Sequence, residues 1–589
     1  MTWWFNISGE FLFHHLPRPI LQKDAPPTFT MISAPIFRPL LRASLALALF
    51  GLTACSAPAP EQQSQSAEQT ATEAPTKATT STLARVNVGA EPPSIDPGLV
   101  YDIPGYHIVH HLFEPLVRMD DKGFPADGAA LSWTHNDDYT VWTFKLREGM
   151  TWSNGDPVTA QDWVYGITRV CTPDFASRAA VTVYAFLKNG TGFFKGELKE
   201  GETLGVKALD SLTLEITLEN PTPFFISNLA HSGWYPMHQA NVEAHPDWAS
   251  SPTNYISNGP FTLSEVRPKD RVVMKRNPNF WDAKNVKLEQ IEFLFINEQN
   301  SELSSFLSKE LDMTGQVSNR EAPNWVGKPE FYKAPAIGIY FVSFNTTKEP
   351  FTDVNFRRAL SYSIHRENIV NTITQRGERP ATGFIPHGIP LSDGREYRDM
   401  APNFLNPTDF AGNLEKARKF LADSPIAKDK LPSPTYIYNN EDQLHKDIAL
   451  RLNSDWKRAF GFEFDLQTME WKVLLGRVRN LDHQFSRAAW FGDYMDPLTF
   501  LEIFETGHGS NTTGYSNPKY DDLLQQIRRE TDVDKRVALI IEAERLIVEE
   551  DCVVAPIFEY LTPILVQTNF KNFVRTPLAG LDITRAYKE

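Results

Sequence analysis

Four side chains able to grip a small dipolar ligand fall within eight residues: Arg487, Trp490, Asp493 and Tyr494, inside the stretch 484–504. A carboxylate can hold an ammonium group, a guanidinium can hold a carboxylate, and an indole can cover an apolar side chain or a closing lid. A ligand with one positive and one negative end suits this set, and a short peptide is such a ligand. The same residues could equally form a buried Arg–Asp pair closing a strand end. Asp496-Pro497 follows. A residue before proline is pushed out of the helical region, so a turn is predicted there, then an apolar helix start.

The elements that must position these residues alternate between strand and helix. Period-two alternation predicts strands near residues 83–96, 138–147, 206–218, 261–276 and 289–295. A strand at 435–439, a long helix over 442–460 and a strand at 463–469 give an α/β order just before the opening stretch. An amphipathic helix is predicted over 353–372, with Phe356, Ala359, Leu360, Ser363 and Ile364 on one side. A short helix is expected at 414–422, a polar loop at 511–520, a helix at 534–551 and an apolar strand at 553–560. Asn154-Gly155 signals a turn, and Thr159 with Asp162 makes a capping-box pattern. Residues 106–119 read as a short helix carrying His107, His110 and His111. Their i, i+3, i+4 spacing is one a metal could use. The reading favours ordinary exposed or capping histidines, with no metal and no cofactor.

The N-terminal region reads as an address. From Met31, a basic segment (Arg38, Arg42), an apolar run over 43–51 and Leu52-Thr53-Ala54-Cys55 follow the order of a secretory signal. The apolar run is shorter than the roughly 20 residues a bilayer span needs. Residues 1–30 read as an upstream extension. The four residues ending in Cys55 resemble the bacterial lipobox, which implies cleavage before Cys55 and its lipidation. Residues 56–82 are poor in large apolar side chains and read as a tether.

After Cys55 the chain carries 54 Lys and Arg against 71 Asp and Glu, a net charge of −17. This argues against nucleic acid as a partner. About 505 residues follow the tether, too many for one core, so two or three domains are expected. Cys171 and Cys552 are the remaining cysteines and are read as two free, buried thiols. No G-x-S-x-G, HExxH or reactive-cysteine context supports a hydrolase.

WSNGDPVTAQDW, VKALDSLTLEITLENPTPFF, NGPFTL, RNPNFWD and FNTTKEPFTDVNFRRALSYSIHRENIV resemble, in number and order, the extracytoplasmic oligopeptide-binding proteins of ABC importers. The resemblance runs from about Val86 to the C-terminus. It implies a two-lobed periplasmic-binding-protein type II fold of mixed α and β, with an extra small domain. The lobes would comprise 83–117, 243–336 and 561–589 (lobe I), 118–242 (extra domain) and 337–560 (lobe II). It implies a monomeric, membrane-anchored receptor outside the cytoplasm that closes on short peptides and hands them to a permease, without catalysis. Asp493 matches the aspartate that holds the peptide ammonium, Arg487 a carboxylate-binding arginine, and His445 a groove histidine that meets longer peptides. Trp490 and Trp471 match pocket walls, and the backbones of Ala489 and Phe491 match strand-like partners of the ligand. The chain departs from the pattern in three places. A disulfide falls near Gly338 and Phe491, an acidic residue near Gly105 and a lysine near Thr372–Thr374, and none of these is present. Loss of the lysine implies that very short peptides are disfavoured. Murein peptide, sugar or a metal chelate on the same fold is the alternative ligand class.

Overall fold

The computed structural model describes residues 82–426, 433–440 and 442–589. The signal, Cys55 and tether readings lie outside the described residues. The elements that matter for the site are, in chain order, β1 (Leu83–Asn87), α1 (Ile103–Leu112), β2 (Ala130–His135), β3 (Val141–Leu146), α2 (Ala160–Cys171), β4 (Val206–Asp210) and β5 (Thr213–Thr217). Then come β6 (Phe261–Arg267), β7 (Arg271–Arg276), β8 (Gln290–Leu294), β9 (Phe331–Ala334), β10 (Gly338–Phe344), α3 (Val354–Tyr362), β11 (Arg379–Pro380), α4 (Phe410–Asp423) and β12 (Thr435–Asn439). The last group is α5 (Gln443–Phe460), β13 (Asp465–Met469), α6 (Trp471–Arg479), β14 (Phe485–Phe491), α7 (Pro518–Arg529), α8 (Val533–Arg545), β15 (Val554–Glu559) and β16 (Thr562–Leu565).

Two lobes of mixed α/β character result. The first holds a four-stranded sheet in the order β1-β8-β7-β6 and an antiparallel one in the order β2-β3-β5-β4. One continuous apolar core serves both, with Phe113, Trp152, Trp163, Trp234 and Phe293 almost fully buried. The second holds a six-stranded sheet, β11-β15-β10-β14-β12-β13. Every residue of β10 is buried, because helices cover both faces. Ile339 and Phe341 point into one apolar cluster, and Tyr340, Val342 and Phe344 into another. The antiparallel ribbon β9–β16 pairs Phe331–Ala334 with Thr562–Leu565.

Local chemistry explains the element ends. The Asp162 carboxylate accepts the Thr159 N–H at 2.7 Å, so the box forms at the start of α2. Helix α1 begins earlier than its apolar pattern suggests, because the Asp102 side chain accepts the Gly105 N–H at 2.8 Å. It ends before Phe113, which is extended. The helix expected over 353–372 is broken after Tyr362. The His365 N–H turns to Asp455 Oδ2 (3.1 Å), and buried Arg366 donates to the carbonyls of Pro556 and Ser361. A short helix Arg366–Ile369 and a π-turn Val370–Thr374 follow. The loop at 511–520 is shorter than expected, since Asn517 caps α7 through the Lys519 N–H.

The three histidines of α1 are buried, not exposed or capping. His111 Nδ1 lies 2.7 Å from His107 O, and its Nε2 accepts the Ile583 N–H at 3.0 Å. His107 Nε2 lies 2.9 Å from Ala579 O, and His110 Nδ1 3.1 Å from the Tyr235 hydroxyl. These bonds fasten the C-terminal segment to α1. No group of three metal-ligating side chains is found among the described residues. Cys171 and Cys552 are buried and free. No helix of the described residues is long and apolar enough to cross a membrane.

Burial pushes His111, His231 and His483 down to about 4. A free histidine titrates near 6.5, so between pH 6.5 and 4 the unfolded chain binds more protons than the folded one. The melting temperature is therefore expected to hold above pH 6.5 and to fall as pH drops through that window. Each such group removes up to about 1.4 kcal/mol per pH unit. His483→Gln should flatten part of the fall, as read by thermal denaturation across pH.

Candidate functional site

Strand β14 carries the site. It pairs with β10 along its whole length, from Phe344↔Phe485 to Gly338↔Phe491. On its other side β12 meets it only at Tyr436↔Phe485 and Ile437↔Ser486. From Arg487 onward, no strand among the described residues lies on that side. The Gly492 N–H donates to Ile337 O and the Asn345 N–H to Gln484 O, both at 2.9 Å. Antiparallel ladders alternate, so Tyr340↔Ala489 and Gly338↔Phe491 are non-hydrogen-bonded pairs. Ala489 and Phe491 thus turn their N–H and C=O groups toward the side that β12 leaves.

The same alternation sorts the side chains. Arg487 lies on the face of Tyr340 and Val342, and Trp490 on the opposite face among Ile339, Phe341 and Phe500. Buried Arg487 donates to the Tyr560 hydroxyl at 3.2 Å. Its guanidinium lies 5.1 Å from the Tyr340 ring centre and 5.9 Å from that of Trp471, at the start of α6. His445 Nδ1 is 3.4 Å from the Tyr340 hydroxyl. Burial, aided by Arg487, holds His445 at about 2, so the imidazole is neutral at physiological pH. It offers a hydrogen bond and no charge. Arg487, Trp471, His445, Tyr340 and Tyr560 form one cationic, aromatic-walled end.

Asp493 lies two residues past β14, six residues from Arg487 and not paired with it. Its N–H donates to Thr499 Oγ1 at 2.9 Å, and the Trp490 indole donates to Thr499 O at 2.8 Å. Thr499, in the helical turn after Pro497, thereby ties the tryptophan to the aspartate. The Asp493 side chain is exposed to solvent, yet burial pushes its carboxyl up to about 6. Among the described residues, no Lys or Arg forms an ion pair with it. The Tyr494 hydroxyl donates to Glu502 at 2.9 Å, and the Tyr494 ring stacks on Phe224 at 4.6 Å. Burial pushes Glu502 up to about 7. The arginine and aspartate in this region that do pair are Arg536 and Asp496, at 2.8 Å.

Tyr340, Tyr560, Thr499, Glu502 and Phe224 escaped the sequence reading. None carries a local signal, and Tyr560 is 73 positions from the arginine it touches. The two positions of the absent disulfide, Gly338 and Phe491, face each other in the ladder. A Cβ on Gly338 would lie 2.3 Å from the Phe491 ring. That ring packs on Tyr560 at 4.7 Å. An aromatic ring over a glycine thus fills the place of the cross-link. Two open depressions of about 500 and 660 Å³ share Trp281 on the first lobe, and neither is lined by these residues.

A two-lobed α/β frame with a charged, aromatic cleft defines a solute-binding protein of the extracytoplasmic type. The model of bacterial extracellular solute-binding proteins, family 5 (middle region), matches residues 125–512, and the chain belongs to that family. It is similar to the oligopeptide-binding protein OppA of Bacillus subtilis strain 168, with 32% identity over 517 residues, 86% of this chain and 92% of that protein. Among solved structures, the murein tripeptide-binding protein MppA of Escherichia coli in its unliganded open form matches with a TM-score of 0.77 at 30% identity. That match covers 86% of this chain and 97% of the other. OppA of Haemophilus influenzae in complex with the peptide RPPGFSPFR matches with a TM-score of 0.65 at 29% identity, covering 86% and 99%.

Gly338→Ala is expected to drive the Phe491 ring off its seat and so loosen Tyr560 beneath Arg487. Overpacking of this kind destabilises by roughly 1–3 kcal/mol. A lowered urea midpoint with an unchanged slope would report it.

Proposed function

We propose that the chain is an extracytoplasmic receptor that captures short oligopeptides between its lobes and delivers them to the permease of an ABC importer. The observation that carries this reading is the side of β14 from Arg487 onward, where Ala489 presents backbone groups and no neighbouring strand among the described residues is paired. A peptide laid there as an added strand gains main-chain hydrogen bonds whatever its side chains. Asp493 then takes its ammonium, and Arg487 with neutral His445 takes its carboxylate. Six residues separate these charges, at most about 20 Å of extended chain, which suits peptides of a few residues. Trp490, Trp471 and Phe491 would wall the groove. Binding, not catalysis, is what such anchors do.

Lobe I is assigned to 83–117, 243–336 and 561–589, the extra domain to 118–242 and lobe II to 337–560, with the β9–β16 ribbon as hinge. Closure would bury the peptide. We further assign residues 31–54 as a lipoprotein signal, Cys55 as the lipidated residue and 56–82 as a tether, for a monomer anchored outside the cytoplasm. Native mass spectrometry of the protein from its host, before and after mild denaturation, tests the ligand class. A ladder of tri- to pentapeptide masses supports the reading, and a single non-peptide mass overturns it.

Asp493 must be ionised to hold an ammonium group, and burial pushes its carboxyl up to about 6. Peptide affinity is therefore expected to be flat above pH 7 and to weaken about tenfold per pH unit well below 6. Asp493→Asn should weaken binding on the order of 100-fold and remove that pH dependence. Calorimetric titration from pH 8 to pH 5 measures both.

A further inference from the structure

Three polar side chains from the two lobes meet beside the cationic end of the groove. Asn319 belongs to the first lobe. It follows Met313, which bridges Val86 and Val566, and Val317, whose N–H donates to Pro563 O at 3.0 Å. The Asn319 amide donates through Nδ2 to the Asp442 carboxylate and accepts through Oδ1 from the Arg376 guanidinium. Both partners belong to the second lobe. Asp442 caps α5, accepting the Leu444 N–H at 2.9 Å, and so precedes His445 by three residues. Arg376 is buried and paired with Glu378. Glu378 is itself fixed by the Thr374 hydroxyl at 2.9 Å and the Arg376 N–H at 3.2 Å.

The amide is thus the neutral middle of a cation–amide–anion row. Asp442 caps the helix whose first turn carries His445, His445 Nδ1 lies 3.4 Å from the Tyr340 hydroxyl, and the Arg487 guanidinium lies 5.1 Å from the Tyr340 ring centre. The row therefore adjoins the residues around Arg487 through the first turn of α5. A ligand carboxylate bound at Arg487 would be repelled by Asp442 through a medium of low dielectric. An amide donor on Asp442 draws that negative charge toward itself. Without the amide, Arg376 and Asp442 lose their common partner and the carboxylate faces a less compensated anion.

We infer that Asn319 is a positioning residue for ligand carboxylates, reaching from the first lobe to hold Asp442 and Arg376 in the arrangement that lets Arg487 accept a negative group. This rests on the peptide reading above and adds to it a role for a side chain that need not touch the peptide. It also places the control of carboxylate recognition on the lobe opposite Arg487.

Calorimetry on the full chain with tetra-alanine and with its C-terminal amide tests the inference. Wild-type protein is expected to prefer the free acid. Asn319→Ala should weaken the free acid about fivefold, the effect of losing one hydrogen bond, and change the amide less than about twofold. Asn319→Asp keeps the size and the acceptor for Arg376 but puts a second anion against Asp442, and should weaken the free acid further. It also decides the matter if the alanine variant folds poorly. Equal losses on both ligands would mark Asn319 as a plain strut between lobes and overturn the inference, as would no loss on either. Wild-type protein that binds neither ligand would instead remove the peptide reading beneath it.

Discussion

The pairing of β14 is the constraint on which the site depends. One side of the strand is held by β10 over seven residue pairs, while the other meets β12 for only two. A strand held on one side keeps its extended form and its register without a second neighbour. The backbone groups of Ala489 are thereby fixed in direction and turned away from β10. Helices on both faces bury the sheet around it, so the strand is rigid where a ligand would need it to be.

Register then does the sorting. A shift of one residue would exchange the two faces, placing Arg487 in the cluster of Ile339 and Trp490 on the face of Tyr340. The ring of Phe491 over Gly338 pins that register at the strand end. It does with packing what a covalent cross-link between the same two positions would do. Past the strand, Thr499 links Asp493 to Trp490, so the acidic end is set by the turn that Pro497 starts.

Electrostatics separate the two ends. Arg487 sits buried beside the Tyr560 hydroxyl and the rings of Tyr340 and Trp471. Burial raises the Asp493 carboxyl, and among the described residues no Lys or Arg forms an ion pair with it. Other charges nearby are matched, Asp496 by Arg536 and Glu378 by Arg376.

Much of this was legible in the residues themselves. The strands at 206–217 and 261–276 and the helix from Gln443 to Phe460 follow alternation, turn chemistry and capping, which act over a few residues. Arg487 and Asp493 were visible because charge and aromaticity cluster beside a proline turn. The break after Tyr362 was not visible, because Arg366 is drawn to Pro556, 190 positions away. Nor were Tyr560, Glu502 or the Asn319 row, whose members are ordinary until a second lobe meets them. The sequence by itself determined the α/β order, the family and the charged pair, since periodicity and local turn chemistry are short-range. Only the tertiary structure decided that Arg487 and Trp490 face opposite ways, that β12 leaves β14 half uncovered, and that His445 is neutral. Register, strand neighbours and burial depend on contacts between residues far apart in the chain, and no local pattern encodes them.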